Sequence, residues 1–165
     1  MKKTILIIAA LFFGSHSFAQ SAPKEEINEM LETWHRAAAK ASFNDYFSLM
    51  AEESVFIGTD PSENWNKNEF MEWSKPYFDR GKAWSFSTLE RNIFLEEDKD
   101  LAWFDELLET QMGICRGSGV AVKEDGKWKI KHYVLSIAIP NDNVEEVTSL
   151  KADFDKKFMA SLKSE

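Results

Sequence analysis

The chain has 165 residues, with 28 acidic and 20 basic side chains and a formal net charge of −8. This acidic balance argues against nucleic acid and anionic membrane surfaces as partners, because both repel a negatively charged protein. The single cysteine, Cys115, excludes an internal disulfide and is interpreted as a small buried hydrophobic residue, with a nucleophile or an intermolecular bridge as alternatives. Only two histidines lie beyond residue 19, so no metal site of the usual zinc type is expected, and no cofactor is predicted.

The first 19 residues are typical of a secretion signal. A basic MKK segment precedes the apolar run TILIIAALFF, and small residues follow in SFAQ. The apolar run is shorter than the roughly 20 residues that a membrane-spanning helix needs, and no cysteine for a lipid anchor follows it. We therefore expect cleavage after Ala19, export to the periplasm or the medium, and a mature chain of 146 residues (165 − 19) with no membrane anchor.

Three helices and one strand are predicted before residue 82. Residues 24–41 carry apolar side chains at helical spacing, and a short helix capped by Ser42 follows. SVFIGT, residues 54–59, predicts a strand, and DPSEN a turn. A third helix begins at Asn66, with Glu69 as its capping partner, and Pro76 is expected to kink or end it.

The second half of the domain is predicted to form a β-sheet. Four strands are predicted at about 84–95, 101–110, 112–123 and 127–139, with EEDKD and KEDGK as two of the turns. Helices that precede a curved antiparallel sheet define an α+β fold, a cone whose mouth is a natural ligand site. The domain is expected to span residues 20–140. An amphipathic helix in residues 141–165, with a capping box at Asp142 and Glu145, packs on the sheet or on a second subunit.

The strand KWKIKHYVLSIAIP, residues 127–140, has a histidine where its alternation calls for an apolar residue. His132 lies between Ile130 and Val134, on a face that also carries Ser136. This histidine is either a core residue with its hydrogen bonds satisfied or part of a pocket wall.

The preceding strand favours the pocket wall. Its alternation places Arg116 and Ser118 on the face of Ile114, Val120 and Val122, opposite a face of small residues. If the bulky face points to the core, both polar side chains line the wall that contains the histidine.

A buried arginine needs an acidic partner, because an unpaired charge in the interior is strongly destabilising. Asp105 and Glu106 lie on opposite faces of the strand LAWFDELLE, and both faces are apolar, so alternation does not choose between them. Asp105 is favoured because its face has the bulkier neighbours. Its pair with Arg116 is either a structural bridge or a wall that binds an anion or a carbonyl group, with a general acid or base nearby.

The remaining candidates lie near the predicted mouth of the cone. Asp60 precedes a proline and is either a turn former or a proton-transfer group. Large aromatic residues are expected mostly in the core, with one or two facing the cavity. The candidate ligand contacts among them are Tyr46, Trp65, Trp73, Trp84 and Trp103.

Five stretches resemble the SnoaL-like branch of the nuclear-transport-factor-2-like superfamily over roughly residues 24–140. They are WHRAAAKASFNDYFSLMAEESVFIGTD, WNKNEFMEWSKPYFDRGKAW, AWFDELLE, RGSGV and GKWKIKHYVLSIAIPND. The resemblance implies an α+β cone, often paired as a dimer through the sheet. The superfamily includes isomerases, cyclases, epoxide hydrolases, dehydratases and non-catalytic binding or assembly domains. In isomerase-like members an acidic base lies roughly where Asp60 stands, and His132 and Arg116 resemble the family's polar pocket lining.

Three functions follow as hypotheses. The first is an exported domain that binds a small apolar or partly polar molecule without chemistry. The second is a lyase or isomerase in which Asp60 or His132 moves a proton and Arg116 stabilises negative charge. The third is a homodimeric assembly module that uses Tyr133, Leu135 and Ile137 as an outer sheet face.

Overall fold

The computed structural model describes residues 15–96 and 100–164, with side chains from residue 22 onward. The first 14 residues of the predicted signal and residues 97–99 of the predicted turn EEDKD lie outside the described residues. The elements are α1 (Ser15–Ala39), α2 (Phe43–Ser48), β1 (Met50–Ile57), β2 (Asn64–Asn66), α3 (Lys67–Asp79), β3 (Ser87–Leu95), β4 (Leu101–Thr110), β5 (Gly113–Glu124), β6 (Lys127–Ile137), a 3-10 turn (Asn141–Asn143) and α4 (Val144–Leu162).

The predicted α+β class is confirmed, and the sheet has six strands in the order β2-β1-β6-β5-β4-β3. Strands β3 to β6 form the predicted antiparallel meander. Strand β1 extends the sheet in parallel with β6, and β2 pairs antiparallel with β1. The sheet is therefore mixed. We call the surface that packs against the N-terminal helices its inner face and the opposite surface its outer face.

The local signals at the helix ends have mixed outcomes. The capping box of α3 forms: the Glu69 amide donates to Asn66 Oδ1 at 3.1 Å, and the Asn66 amide donates to Glu69 Oε2 at 2.9 Å. Of the two outcomes predicted for Pro76, the end of the helix is wrong, because the helix continues to Asp79, and the kink stays a prediction. The capping box predicted for α4 is also wrong. Its N-cap is Asn143, which makes no side-chain capping bond.

A bulge in β6 decides which side chains face the core. Ala121 of β5 pairs with Ile130, but Val120 pairs with His132, so Lys131 is the extra residue. One extra residue reverses the alternation beyond it. Tyr133 and the following Leu135 are consequently buried on the inner face, whereas His132 falls on the outer face. The outer-face prediction for Tyr133 and Leu135 is therefore wrong.

The core lies between α1, α2, α3 and the inner face of the sheet. The apolar stripe of α1 is buried, and Trp34 at its centre makes an edge contact with Tyr133 of β6, with ring centroids 4.8 Å apart. Cys115 is buried on β5, which confirms the interpretation of a small core residue. Helix α4 differs from the others because its main contacts are with the turn before it, and none of its described residues is fully buried.

Candidate functional site

A buried polar cluster connects α1 to three strands on the inner face. We call it the Glu106 cluster; it consists of His35, Arg91, Glu106 and Tyr133. Glu106 Oε1 accepts hydrogen bonds from His35 Nε2 at 2.9 Å and from the Tyr133 hydroxyl at 2.7 Å. Its Oε2 accepts from Arg91 Nε at 2.9 Å and Nη2 at 2.8 Å. The side chains of Glu106 and Arg91 are 0% and 4% exposed.

The cluster holds its carboxyl group in the ionised form. Burial raises the pKa of Glu106, but the hydrogen bond and charge of His35, the charge of Arg91 and the hydrogen bond from Tyr133 outweigh burial, so the pKa falls to about 2. Burial and the neighbouring Glu106 charge raise the pKa of Tyr133 well above its usual value, so this phenol stays a donor. Both oxygens of the carboxylate are engaged by donors, which suits a structural bridge better than a proton acceptor for a substrate.

Two glycines of β5 make room for this cluster and for the adjacent core. A Cβ at Gly117 would overlap the Tyr133 hydroxyl and lie 3.0 Å from Cγ of Glu106. A Cβ at Gly119 would lie 2.7 Å from the ring of Phe104. The small face of this strand is therefore the inner face, because the large groups of its neighbours occupy the space above it.

Sequence reasoning missed the cluster, although two signals for it are present. Glu106 alternates with the apolar residues Ala102, Phe104 and Leu108, which are buried with it on β4. His35 lies four residues after Leu31 on the buried stripe of α1. A polar residue in the middle of an apolar stripe predicts a buried partner.

An open cavity of about 160 Å³ lies on the same inner side of the sheet. Its walls come from β1, the loop after β1, β2, α3, the segment before β3, the β4–β5 turn and β6. The lining residues are Phe56, Gly58, Thr59, Glu63, Trp65, Phe70, Trp73, Trp84, Phe86, Gln111, Met112 and Leu135.

The aromatic rings of this cavity share an orientation. Phe70 makes interplanar angles of 11° with Phe56, 13° with Trp65, 22° with Trp73 and 24° with Trp84. The Trp65 and Trp73 centroids are 4.5 Å apart, and Trp73 is 40% exposed at the opening. The rings contact one another and together present a flat aromatic surface to the cavity, which we call the planar slot. A flat guest can add to this stack.

The predicted polar wall does not line this cavity. Arg116, Ser118, His132 and Ser136 lie on the outer face, because the glycine face of β5 points inward and the bulge turns His132 outward. Asp105 also lies on the outer face, and its Oδ1 is 4.0 Å from Arg116 Nη1. Their side chains are 37% and 60% exposed, so the predicted pair forms in solvent and not in a pocket.

Asp60 lies in an exposed turn beside the cavity. Its Oδ1 accepts hydrogen bonds from the Ser62 amide at 2.9 Å and the Ser62 hydroxyl at 2.5 Å. These two bonds lower the pKa of Asp60. The geometry is that of a turn former, and the structure does not bring this carboxylate together with His132 or Arg116.

The predicted aromatic contacts divide into three groups. Trp65, Trp73 and Trp84 line the cavity. Tyr46 is buried behind Trp84, with ring centroids 5.5 Å apart. Trp103 lies on the outer face, where it stacks on Phe94 with centroids 5.7 Å apart.

Residues 15–96 and 100–164 form neither a metal-binding cluster nor a membrane-spanning helix. These residues contain no group of three or more His, Cys, Asp or Glu side chains that could hold a metal ion. None of the helices formed by the same residues is long and apolar enough to cross a membrane.

The fold and the helix-covered inner face define an α+β domain of the SnoaL-like type. The family profile described as "SnoaL-like domain" matches residues 27–140, and the chain belongs to this family. The resemblance seen in the sequence is thereby confirmed. No curated protein matches the chain by sequence.

Solved structures share the fold at low sequence identity. An NTF2-like protein of unknown function from Pseudomonas putida KT2440 has a TM-score of 0.63 and 14% identity, over 74% of this chain and 92% of its own. A candidate scytalone dehydratase from Novosphingobium aromaticivorans DSM 12444 has a TM-score of 0.63 and 13% identity, over 74% and 89%. The association domain of CaMKII from C. elegans has a TM-score of 0.58 and 18% identity, over 72% and 98%. At these identities the likeness concerns the fold.

Proposed function

We propose that this protein is an exported domain that binds a small planar molecule in its aromatic cavity. The observation that carries the proposal is the set of nearly parallel rings around a space of about 160 Å³. A cavity of roughly 150 Å³ is large enough for one benzene ring. The site therefore suits a single ring, or the ring end of a longer molecule that projects through the opening beside Trp73.

Binding is better supported than catalysis by the predicted groups. A lyase or isomerase mechanism would need Asp60 or His132 within reach of the substrate and of Arg116. Asp60 is bonded within its own turn, whereas His132 and Arg116 lie on the opposite side of the sheet from the cavity. Loss of turnover in both Asp60→Asn and His132→Ala would favour the catalytic alternative.

Matched probes test the planar slot directly. Benzamide and cyclohexanecarboxamide carry the same amide, but only benzamide has a flat ring that can stack. Stacking contributes about 1 kcal/mol, which is roughly fivefold in affinity. We expect benzamide to shift the amide NMR signals of cavity residues and to bind at least that much more tightly.

Two tryptophan variants provide the matched pair for this experiment. Trp73 at the cavity is 40% exposed and stacks on Trp65, and Trp103 on the outer face is 44% exposed and stacks on Phe94. Trp73→Ala should weaken benzamide binding, and Trp103→Ala should leave it unchanged. Equal effects of the two variants, or no binding by the wild type, would refute the proposal.

Export is proposed from the signal-like residues 1–19. When the full chain is expressed in a bacterium, the protein in the periplasm or medium should begin at Gln20. N-terminal sequencing tests this, and retention of Met1 in a cytoplasmic product would contradict it.

A homodimer through the outer face is a second proposal, and a specific observation favours it. Phe94 and Trp103 are 43% and 44% exposed, and Leu101, the next residue on the same face of β4, is 37% exposed. An apolar patch on a sheet fits a second copy of itself about a twofold axis. The CaMKII association domain shares the fold. Sedimentation should show a dimer that Trp103→Glu converts to a monomer; a wild-type monomer at high concentration would contradict the proposal.

A further inference from the structure

The aromatic cavity has one charged lining residue, Glu63, among the residues that the structure describes. The other polar side chains in its wall are those of Thr59 and Gln111, and no lysine, arginine or histidine is present. A single carboxylate beside aromatic rings creates a negative potential at the opening.

The Glu63 carboxylate is placed to receive a donor. Its Oε2 accepts the Asp60 amide at 3.1 Å, whereas Oε1 accepts no hydrogen bond within residues 15–96 and 100–164. No described cation lies within ion-pair distance of either oxygen. The carboxylate extends over Gly58, where a Cβ would overlap Oε2. A carboxylate of this kind, half-buried and without a cation, gains a charge-assisted hydrogen bond when a cationic donor arrives.

The surroundings add to this preference for positive charge. The exposed Asp60 carboxylate is held in its ionised form beside Glu63, because the bonds from Ser62 lower its pKa. The electron-rich faces of Trp65 and Trp73 also attract cations. Arg91, the arginine on the inner face, is already engaged by Glu32 and by Glu106, so it cannot neutralise an anionic guest.

We infer that the cavity selects planar organic cations, such as an aromatic amidinium or a protonated heteroaromatic amine, over neutral and anionic rings of the same size. This inference rests on the proposed function, because it assigns the charge of the guest that the planar slot accepts. The ring stacks among the aromatic side chains, and an N–H donates to Glu63 Oε1.

A series of three probes tests the charge preference separately from the slot. Benzamidinium, benzamide and benzoate have the same ring and similar planar head groups, with charges of +1, 0 and −1. Calorimetric or NMR titration of the mature chain should give affinities in that order, with benzamidinium roughly tenfold tighter than benzamide, the gain typical of one charge-assisted hydrogen bond.

Two substitutions test the charge and the position of the Glu63 carboxylate separately. Glu63→Gln keeps an acceptor for the Asp60 amide and should remove the benzamidinium advantage while benzamide affinity stays the same. Gly58→Ala keeps the charge but displaces the carboxylate, and it should have the same effect through position alone. Asp105→Asn is the control, because it removes an equal charge from the outer face of the sheet and should leave benzamidinium affinity unchanged.

The outcomes separate the two proposals. Equal binding of all three probes, or an unchanged benzamidinium advantage in Glu63→Gln, would overturn the charge inference and leave the planar slot standing. Tightest binding of benzoate would also overturn it. Binding of no probe by the wild type would remove both proposals.

Discussion

The Glu106 cluster leads to a stability prediction that can be worked through quantitatively. Glu106→Gln preserves the size of the side chain but removes the charge that holds Arg91. Its one carbonyl oxygen cannot accept from Arg91 and from the donors His35 and Tyr133 at the same time. Breaking a buried ion pair from one side costs about 3–5 kcal/mol, because the other charge remains buried. Arg91 keeps its bond to Glu32 at 2.8 Å, so we expect a loss of about 3 kcal/mol in the free energy of unfolding.

The lowered pKa of Glu106 leads to a similar loss in the free energy of unfolding. The Glu106 pKa falls from 4.5 to about 2 on folding. A shift of about 2.5 units corresponds to about 3 kcal/mol at pH 7. Since the folded pKa is the lower one, this stability is complete above pH 4.5 and is lost as the pH falls towards 2. At pH 3 about half of it should remain.

Urea denaturation followed by tryptophan fluorescence measures this directly at pH 7, 5, 4 and 3. The difference between wild type and Glu106→Gln should be about 3 kcal/mol at pH 7 and shrink below pH 4.5. Asp105→Asn is the matched control: it changes the next residue in the same way, but on the outer face in an exposed pair, and should cost less than about 1 kcal/mol. A Glu106→Gln cost as small as the control's, or a gap that does not depend on pH, would refute the reasoning.

Three further predictions concern single features of the fold. Gly117→Ala should lower the free energy of unfolding by about 2 kcal/mol, because its Cβ would overlap the Tyr133 hydroxyl. An unchanged urea midpoint would show that β5 and β6 accommodate the methyl group without cost and would contradict this prediction. Asn66→Ala should cost about 1 kcal/mol through loss of the α3 cap, measured in the same assay, with Asn66→Asp as a variant that keeps the cap. Deletion of residues 141–165 should change the unfolding free energy of the monomer by less than about 1 kcal/mol, because the main contacts of α4 are with its own turn; a cooperative loss of fold would contradict this.

Local signals in the sequence predicted most of the elements. The Asp-Gly pair in KEDGK predicted a tight hairpin, and Asp125 and Gly126 have φ values of 51° and 75°, as such a turn requires. The Asn66 cap predicted the start of α3. These signals act between residues a few positions apart, so they can be recognised from the sequence alone.

The parallel pairing of β1 with β6 was not predicted for a different reason. Met50 of β1 pairs with Ile130, and Val55 with His132, across about 80 residues of chain. No turn connects the two strands, because β2, α3 and the strands β3 to β5 lie between them in the chain. Glu63, in the loop between β1 and β2, lines the same cavity as Phe70 and Trp73 of α3.

The sequence by itself determined that the chain makes an α+β domain with an antiparallel meander, and it located the four meander strands to within a few residues. Strand β1 begins four residues before its predicted start, and the short strand β2 was not predicted. Only the tertiary structure decided which face of each strand is buried. Both faces of β4 are apolar, and the extra residue Lys131 reverses the alternation of β6, so Glu106 lies in the core and His132 outside it. The physical reason is that the side-chain period of a strand is two residues, and a shift of one residue exchanges its two faces.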